Sequence, residues 1–189
     1  LAELSDSGVE IHFFVGNHDM WLFDYLTEEF GAIVHNDPVA MEIDGKRFLI
    51  GHGDGLGHTD RWFEFVRVFF RSGFCHKLFK MLPSAFTFGI AHRWSDSNKR
   101  KHAQRDMLHY LGDDQEGIAI YIKQRLESES FDYCIFGHRH TPLVKELGGR
   151  SRTTCYVNTG DWLHNRNYAV YTLGGDIELW DYAVGQEVP

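Results

Sequence analysis

A chain of 189 residues, 43% of them hydrophobic, suits one domain with a sizeable core and is too apolar to be disordered. Its net charge of −8, from 19 basic and 27 acidic residues, argues against a general nucleic-acid binder. Three cysteines, Cys75, Cys134 and Cys155, make no Cys-x-x-Cys pair, which argues against a zinc ribbon or disulfide framework and fits a reducing cytoplasm.

The first residue is Leu1, and Leu1-Ala2-Glu3-Leu4 reads as the last turn of a helix already under way. The expectation is that further residues precede it. The start carries no basic signal-peptide region. No apolar run approaches the roughly 20 residues of a membrane-spanning helix. Residues 10–15 form a short apolar run ending at Gly16, which predicts a buried strand feeding a loop. Residues 20–30 read as a helix stopped by Gly31. Residues 39–43 and 46–50 flank Asp44-Gly45, a strong signal for a two-residue hairpin.

The window 61–105 differs from the rest of the chain. It holds ten Lys or Arg against two acids (Glu64, Asp96), a net +8 that leaves −16 on the remainder. It also holds ten of the 28 aromatic residues. Residues 61–92 predict two apolar helices broken at Pro83-Ser84, and 99–127 continue as helix with a break near Gly112. This window is the one candidate subdomain, a helical cap of about residues 60–105 inserted into a single α/β domain spanning 1–189. Residues 133–136 predict another short strand. Three or four strands follow it, the last two joined at Gly174-Gly175.

Three predicted strands end in a glycine and then a metal-capable side chain. They are Gly16-Asn17-His18-Asp19, Gly51-His52-Gly53-Asp54 and Gly137-His138-Arg139-His140. Glycine allows a sharp turn as the chain leaves a strand. Ligands at strand ends converge on one sheet edge. Imidazole and oxygen donors suit Mn, Fe, Zn or Ni, and no thiolate is needed. Asn-His-Asp or Gly-His-Gly alone reads as a turn, and His-x-His alone reads equally as a turn or a metal ligand; three in this order and context point to a metal site. Asp54 is either a partner tying down a ligand histidine or a plain turn residue.

In that order the motifs resemble the calcineurin-like metallophosphoesterases. The resemblance implies a two-layered β-sandwich flanked by helices and a two-metal site. It implies Asn17, His52 and His138 as ligands of the second metal and His140 as a ligand of the first. It further implies His18 as the histidine acting on the transition state or leaving group, with Asp19 orienting it. The cofactor implied is two divalent ions, manganese first, with iron, zinc or nickel as alternatives. The family also uses an Asp-x-His and a Gly-Asp-x-x-Asp before the Asn-His pair. Neither occurs in residues 1–189, so the first strand or strands and the first metal's main ligands are expected to lie upstream.

Within that class, residues 11–182 most resemble the UDP-2,3-diacylglucosamine pyrophosphatases of lipid A synthesis. Those enzymes insert a helical lid after the Gly-His-Gly-Asp motif, where this chain has residues 62–104. Gly137-His138-Arg139-His140-Thr141-Pro142 and Thr159-Gly160-Asp161-Trp162 share the likeness. Enterobacterial members carry Arg where this chain has His18. The implied reaction releases UMP and a diacylated sugar phosphate. The insert's Phe65, Phe69, Phe70, Phe79, Phe86 and Phe88 would line an acyl slot or simply pack the lid. Arg93, Asn98, Lys99 and Lys101 are candidate contacts to the substrate, and Lys99-Arg100-Lys101 alone also reads as a solvated face. His164 and Asn165 are loop residues or substrate contacts. The expected partners are the UDP-linked diacylated sugar and an anionic inner-membrane surface, with no nucleic acid. The expected location is cytoplasmic, peripheral on the inner membrane. Two alternatives remain at this stage: another calcineurin-like phosphodiesterase or phosphatase with a soluble substrate, and an inactive remnant lacking the first metal.

Overall fold

The computed structural model describes residues 1–19, 22, 24–57, 68–69, 72–82, 89, 109–149, 152–163 and 165–187. Helix α1 (Ala2–Asp6) leads into strand β1 (His12–Phe14), then α2 (Tyr25–Phe30) and β2 (Ile33–His35). Strands β3 (Val39–Ile43) and β4 (Lys46–Gly51) follow, then helices α3 (Gly73–Lys80) and α4 (Gly117–Leu126). The rest is β5 (Tyr133–Phe136), β6 (Pro142–Gly148), β7 (Thr153–Thr159), β8 (Asn167–Tyr171), β9 (Ile177–Asp181) and β10 (Gln186–Glu187).

The central sheet has five strands in the order β3-β4-β5-β7-β6. Its middle strands β4, β5 and β7 run parallel, and both edges are antiparallel. The carboxyl ends of the three parallel strands therefore open on the same edge. Leu49, Cys134 and Tyr156 stand side by side in register, so they share a face. That face is covered by Ile118, Ala119, Ile122 and Leu126 of α4, and together they form the buried core. Each fully buried Leu or Ile there contributes about 1.5–3 kcal/mol. On the opposite face Phe48 and Tyr133 meet the ring of Tyr171 from β8, at 5.1 and 5.8 Å between centroids. The Tyr133 hydroxyl donates to the Gly175 carbonyl at 2.5 Å, tying the β8–β9 turn to the central sheet. The chain is thus a mixed α/β protein, with a helix on one face of the sheet and the antiparallel β8-β9-β10 sheet against the other.

Local expectations fare unevenly. The 44–45 turn is as expected: Asp44 and Gly45 both take positive φ (50° and 74°), and Ile43 pairs with Lys46. Gly31 caps α2 in the left-handed region at φ 60°. The helix expected over 20–30 begins at Tyr25 in the described residues. Strand β1 is half-buried rather than buried, and it pairs in parallel with β2 in a separate two-stranded sheet. Gly112 takes φ 103°, and of the helix expected over 99–127 the described residues show Gly117–Leu126; residues 99–108 lie outside them. Among the described residues five strands, not three or four, follow β5. The Gly174-Gly175 turn joins β8 to β9, and the two-residue β10 comes after it. Most of the insert, Arg93, Asn98, Lys99 and Lys101 included, lies outside the described residues. Its described part includes α3, where Phe74 and Leu78 are exposed and Cys75 is buried.

Candidate functional site

The first and second histidine motifs meet across a short gap. His52 follows β4, and its Nε2 lies 3.3 Å from Asn17 Oδ1 in the loop after β1. The approach needs glycine at position 16. A Cβ there would sit 2.9 Å from His52 Cε1 and 3.0 Å from Nε2, closer than real contacts allow. Gly16 is therefore explained by the close approach of the imidazole, not by the sharp turn expected from sequence. Gly53 serves both needs, with φ at 114° and no room for a Cβ beside Ile118 Cδ1 at 2.6 Å.

The third motif joins them from the neighbouring strand. His138 follows β5, and its ring lies 5.3 Å from that of His52, edge to face. It takes the left-handed turn itself, at φ 63°, a conformation that costs a non-glycine residue about 1–2 kcal/mol. The backbone around it is held, since Gly137 N donates to His52 O at 3.0 Å. Burial pushes the His138 pKa down to about 3, helped by His52, Arg139, His140 and His18. The ring is thus neutral and keeps a nitrogen lone pair available to a cation.

The other expected site residues surround this cluster. His18 and Asp19 are exposed. Asp19 Oδ2 lies 3.1 Å from the position a Cβ would take on Gly16, and among the described residues no hydrogen bond joins it to His18. Asp54 is buried and lines a cavity with His52, His35 and Asp37. His140 Nδ1 lies 3.3 Å from Asp161 Oδ2. A groove of about 110 Å³ beside His138 is lined by Gly53, Leu56, Leu111, Glu116 and Arg139.

Three residues that sequence reasoning did not assign hold the site together. Asn158, 1% exposed at the end of β7, donates from Nδ2 to Gly137 O at 2.8 Å and accepts from Gly160 N at 3.0 Å. Glu116, 3% exposed, accepts from Arg139 Nη2 at 2.9 Å. Asp161 contacts His140 as stated. Gly160-Asp161 repeats the pattern of a glycine and a metal-capable residue at a strand end, so that signal was present. Glu116 and Asn158 reach the site loop through Arg139 and Gly137, more than 20 residues away, and had none.

An imidazole pair and an amide oxygen fit a borderline divalent cation such as Mn, Fe, Zn or Ni. Asn17, His52 and His138 would supply that set. Among the described residues no group of three or more His, Cys, Asp or Glu side chains is placed to hold a metal. The candidate cluster therefore depends on Asn17 as its third donor.

Comparison with known proteins fixes the family. The chain is 35% identical over 182 residues to a UDP-2,3-diacylglucosamine hydrolase of Porphyromonas gingivalis strain W83, covering 90% of this chain and 68% of that one. The chain belongs to the UDP-2,3-diacylglucosamine hydrolase family. It is also 29% identical over 179 residues to the protein of that name from Escherichia coli O81 strain ED1a, covering 95% of this chain and 72% of that one. No protein-family model matches it. A solved archaeal phosphodiesterase shares 15% identity at a TM-score of 0.38, over 98% of this chain and 71% of that one, too distant to bear on the assignment. As a member of the UDP-2,3-diacylglucosamine hydrolase family the chain is a metal-dependent phosphoesterase, and divalent metal ions are the cofactor that membership implies.

Proposed function

We propose that this chain hydrolyses the pyrophosphate of UDP-2,3-diacylglucosamine to UMP and 2,3-diacylglucosamine 1-phosphate, a step of lipid A synthesis. One observation carries the reading: Asn17, His52 and His138 meet at one sheet edge in a chain 35% identical to a hydrolase named for that substrate. The water oxygen joins one phosphorus, and the P–O bond to the other phosphate breaks.

The chain's own residues divide the work. Asn17, His52 and His138 hold the second divalent cation, and His140 serves the first. When bound, such cations polarise phosphate oxygens and acidify water, so hydroxide is available near neutral pH. Manganese is the metal we assign first. His18, exposed at the mouth of the cluster, stabilises or protonates the departing oxygen. Asp54, buried in the same loop as His52, steadies that loop. Arg93, Asn98, Lys99 and Lys101 of the insert contact the substrate, the basic ones its diphosphate.

The substrate's acyl chains favour work at an anionic inner-membrane surface from the cytoplasmic side. The insert's net +8 and the exposed Phe74, Leu78 and Met81 support that placement. No helix among the described residues is long and apolar enough to cross a membrane.

The test is UMP release by the full-length protein with Mn2+, from UDP-2,3-diacylglucosamine and from UDP-N-acetylglucosamine. Metal-dependent release from the acylated substrate, at least 100-fold faster by kcat/KM, is the expected result. Equal rates, or hydrolysis of soluble phosphodiesters alone, would overturn the lipid assignment.

A further inference from the structure

We propose that Asp161 is a positioning residue that fixes the tautomer and orientation of His140, with Asn158 and Asn165 holding the two loops in register. The inference rests on the reading of His140 as a metal ligand and adds the residues that prepare it.

The loop after β7 grips the loop after β5 at three points. At its root, Asn158 bridges Gly137 O and Gly160 N through opposite ends of one buried amide. In the middle, Asp161 Oδ2 faces His140 Nδ1 at 3.3 Å, with the Asp161 side chain 8% exposed and His140 38%. At its far side, Asn165 Nδ2 donates to His140 O at 2.8 Å, and Asn165 N lies 3.3 Å from Asp161 Oδ1. Asp161 thus reaches the ring while Asn165 pins the backbone of the same residue.

The chemistry follows from the imidazole. A neutral ring carries one N–H, and the group beside each nitrogen sets where it resides. A carboxylate accepts a hydrogen bond and cannot donate one. Beside Asp161 the proton therefore belongs on Nδ1, which leaves the Nε2 lone pair as the donor. Carboxylate-backed histidines of this kind are oriented before a cation arrives, and loss of the carboxylate typically weakens metal binding by about 10–100-fold.

Two readouts separate this inference from the reading it rests on. The first uses metal-free protein with 15N-labelled histidine at pH 8, where two-bond 1H–15N correlations report each ring's tautomer. His140, identified by its loss in His140→Gln, is expected as the Nδ1–H tautomer in the parent and mainly Nε2–H in Asp161→Ala. Unchanged His12 and His35 signals show that the variant is folded. An Nε2–H ring in the parent, or no change in Asp161→Ala, overturns the positioning role. The second is Co2+ affinity by calorimetry, expected to fall at least 10-fold in Asp161→Ala and to fall no further when that change is added to His140→Gln. A shifted tautomer with unchanged Co2+ affinity in both single variants would keep the positioning role and remove His140 from the metal site.

Discussion

Arg139 Nη2 lies 2.9 Å from Oε1 of the buried Glu116, and the same guanidinium nitrogen donates to His109 O at 3.1 Å. Leu111 N donates to that carboxylate oxygen at 3.0 Å. The residue between the two histidines of the third motif therefore anchors the segment 109–116 to the site loop. That segment enters α4, whose Ile118 packs against the Gly53 loop. Glu116→Ala removes the buried carboxylate that accepts from both Arg139 Nη2 and Leu111 N, so it is expected to cost about 2–3 kcal/mol. Glu116→Gln keeps an acceptor and should cost less. Urea unfolding midpoints measure both, and an Ala variant within about 0.5 kcal/mol of the parent would contradict the anchoring role.

Gly16 gives a sharper test of how the first two motifs meet. Gly16→Ala places a methyl 2.9 Å from the His52 ring, so the imidazole must move. We expect metal affinity to fall about 10-fold with little loss of stability, as for a displaced ligand. Gly137→Ala is the control, because its methyl would meet nothing closer than 3.8 Å. Calorimetry with Mn2+ compares the two, and equal affinities would show that the Gly16 contact is not what places His52.

Much of this arrangement was legible in the sequence. The strand-end motifs, the Asp44-Gly45 hairpin and β5 all rest on local signals that tertiary packing did not override. The reason for Gly16 was not legible, because the crowding comes from a histidine 36 positions away. Glu116 and Asn158 escaped notice for the same reason, since the partner that ties each to the site, Arg139 and Gly137 O, is more than 20 residues distant. Strand β10 is two exposed residues, Gln186 and Glu187, with no alternating pattern to reveal it. The expected burial of β1 followed from its apolar run, yet its partner β2 leaves the pair half open.

Acid should weaken the fold through Asp113. Hydrogen bonds from Lys145 and then Tyr110 hold its carboxyl below the ordinary value. A depressed folded pKa contributes stability above the unfolded value, and that contribution disappears as pH falls through the folded one. The pair is near the surface, so the effect is about 1 kcal/mol or less. Asp113→Asn should therefore be less stable at pH 7, with the difference shrinking as pH falls below the ordinary carboxylate range and lost at a pH where the folded carboxyl is itself protonated. A difference that persists to that pH would mean the carboxylate's charge is not what matters.

The central claim is that Asn17, His52 and His138 hold one divalent cation. Mn2+ binding by calorimetry, on the full-length protein and its His52→Ala and His138→Ala variants, tests it most directly. The account predicts that each substitution abolishes one binding event while circular dichroism stays that of the parent. Parent-like metal content in either variant would contradict it.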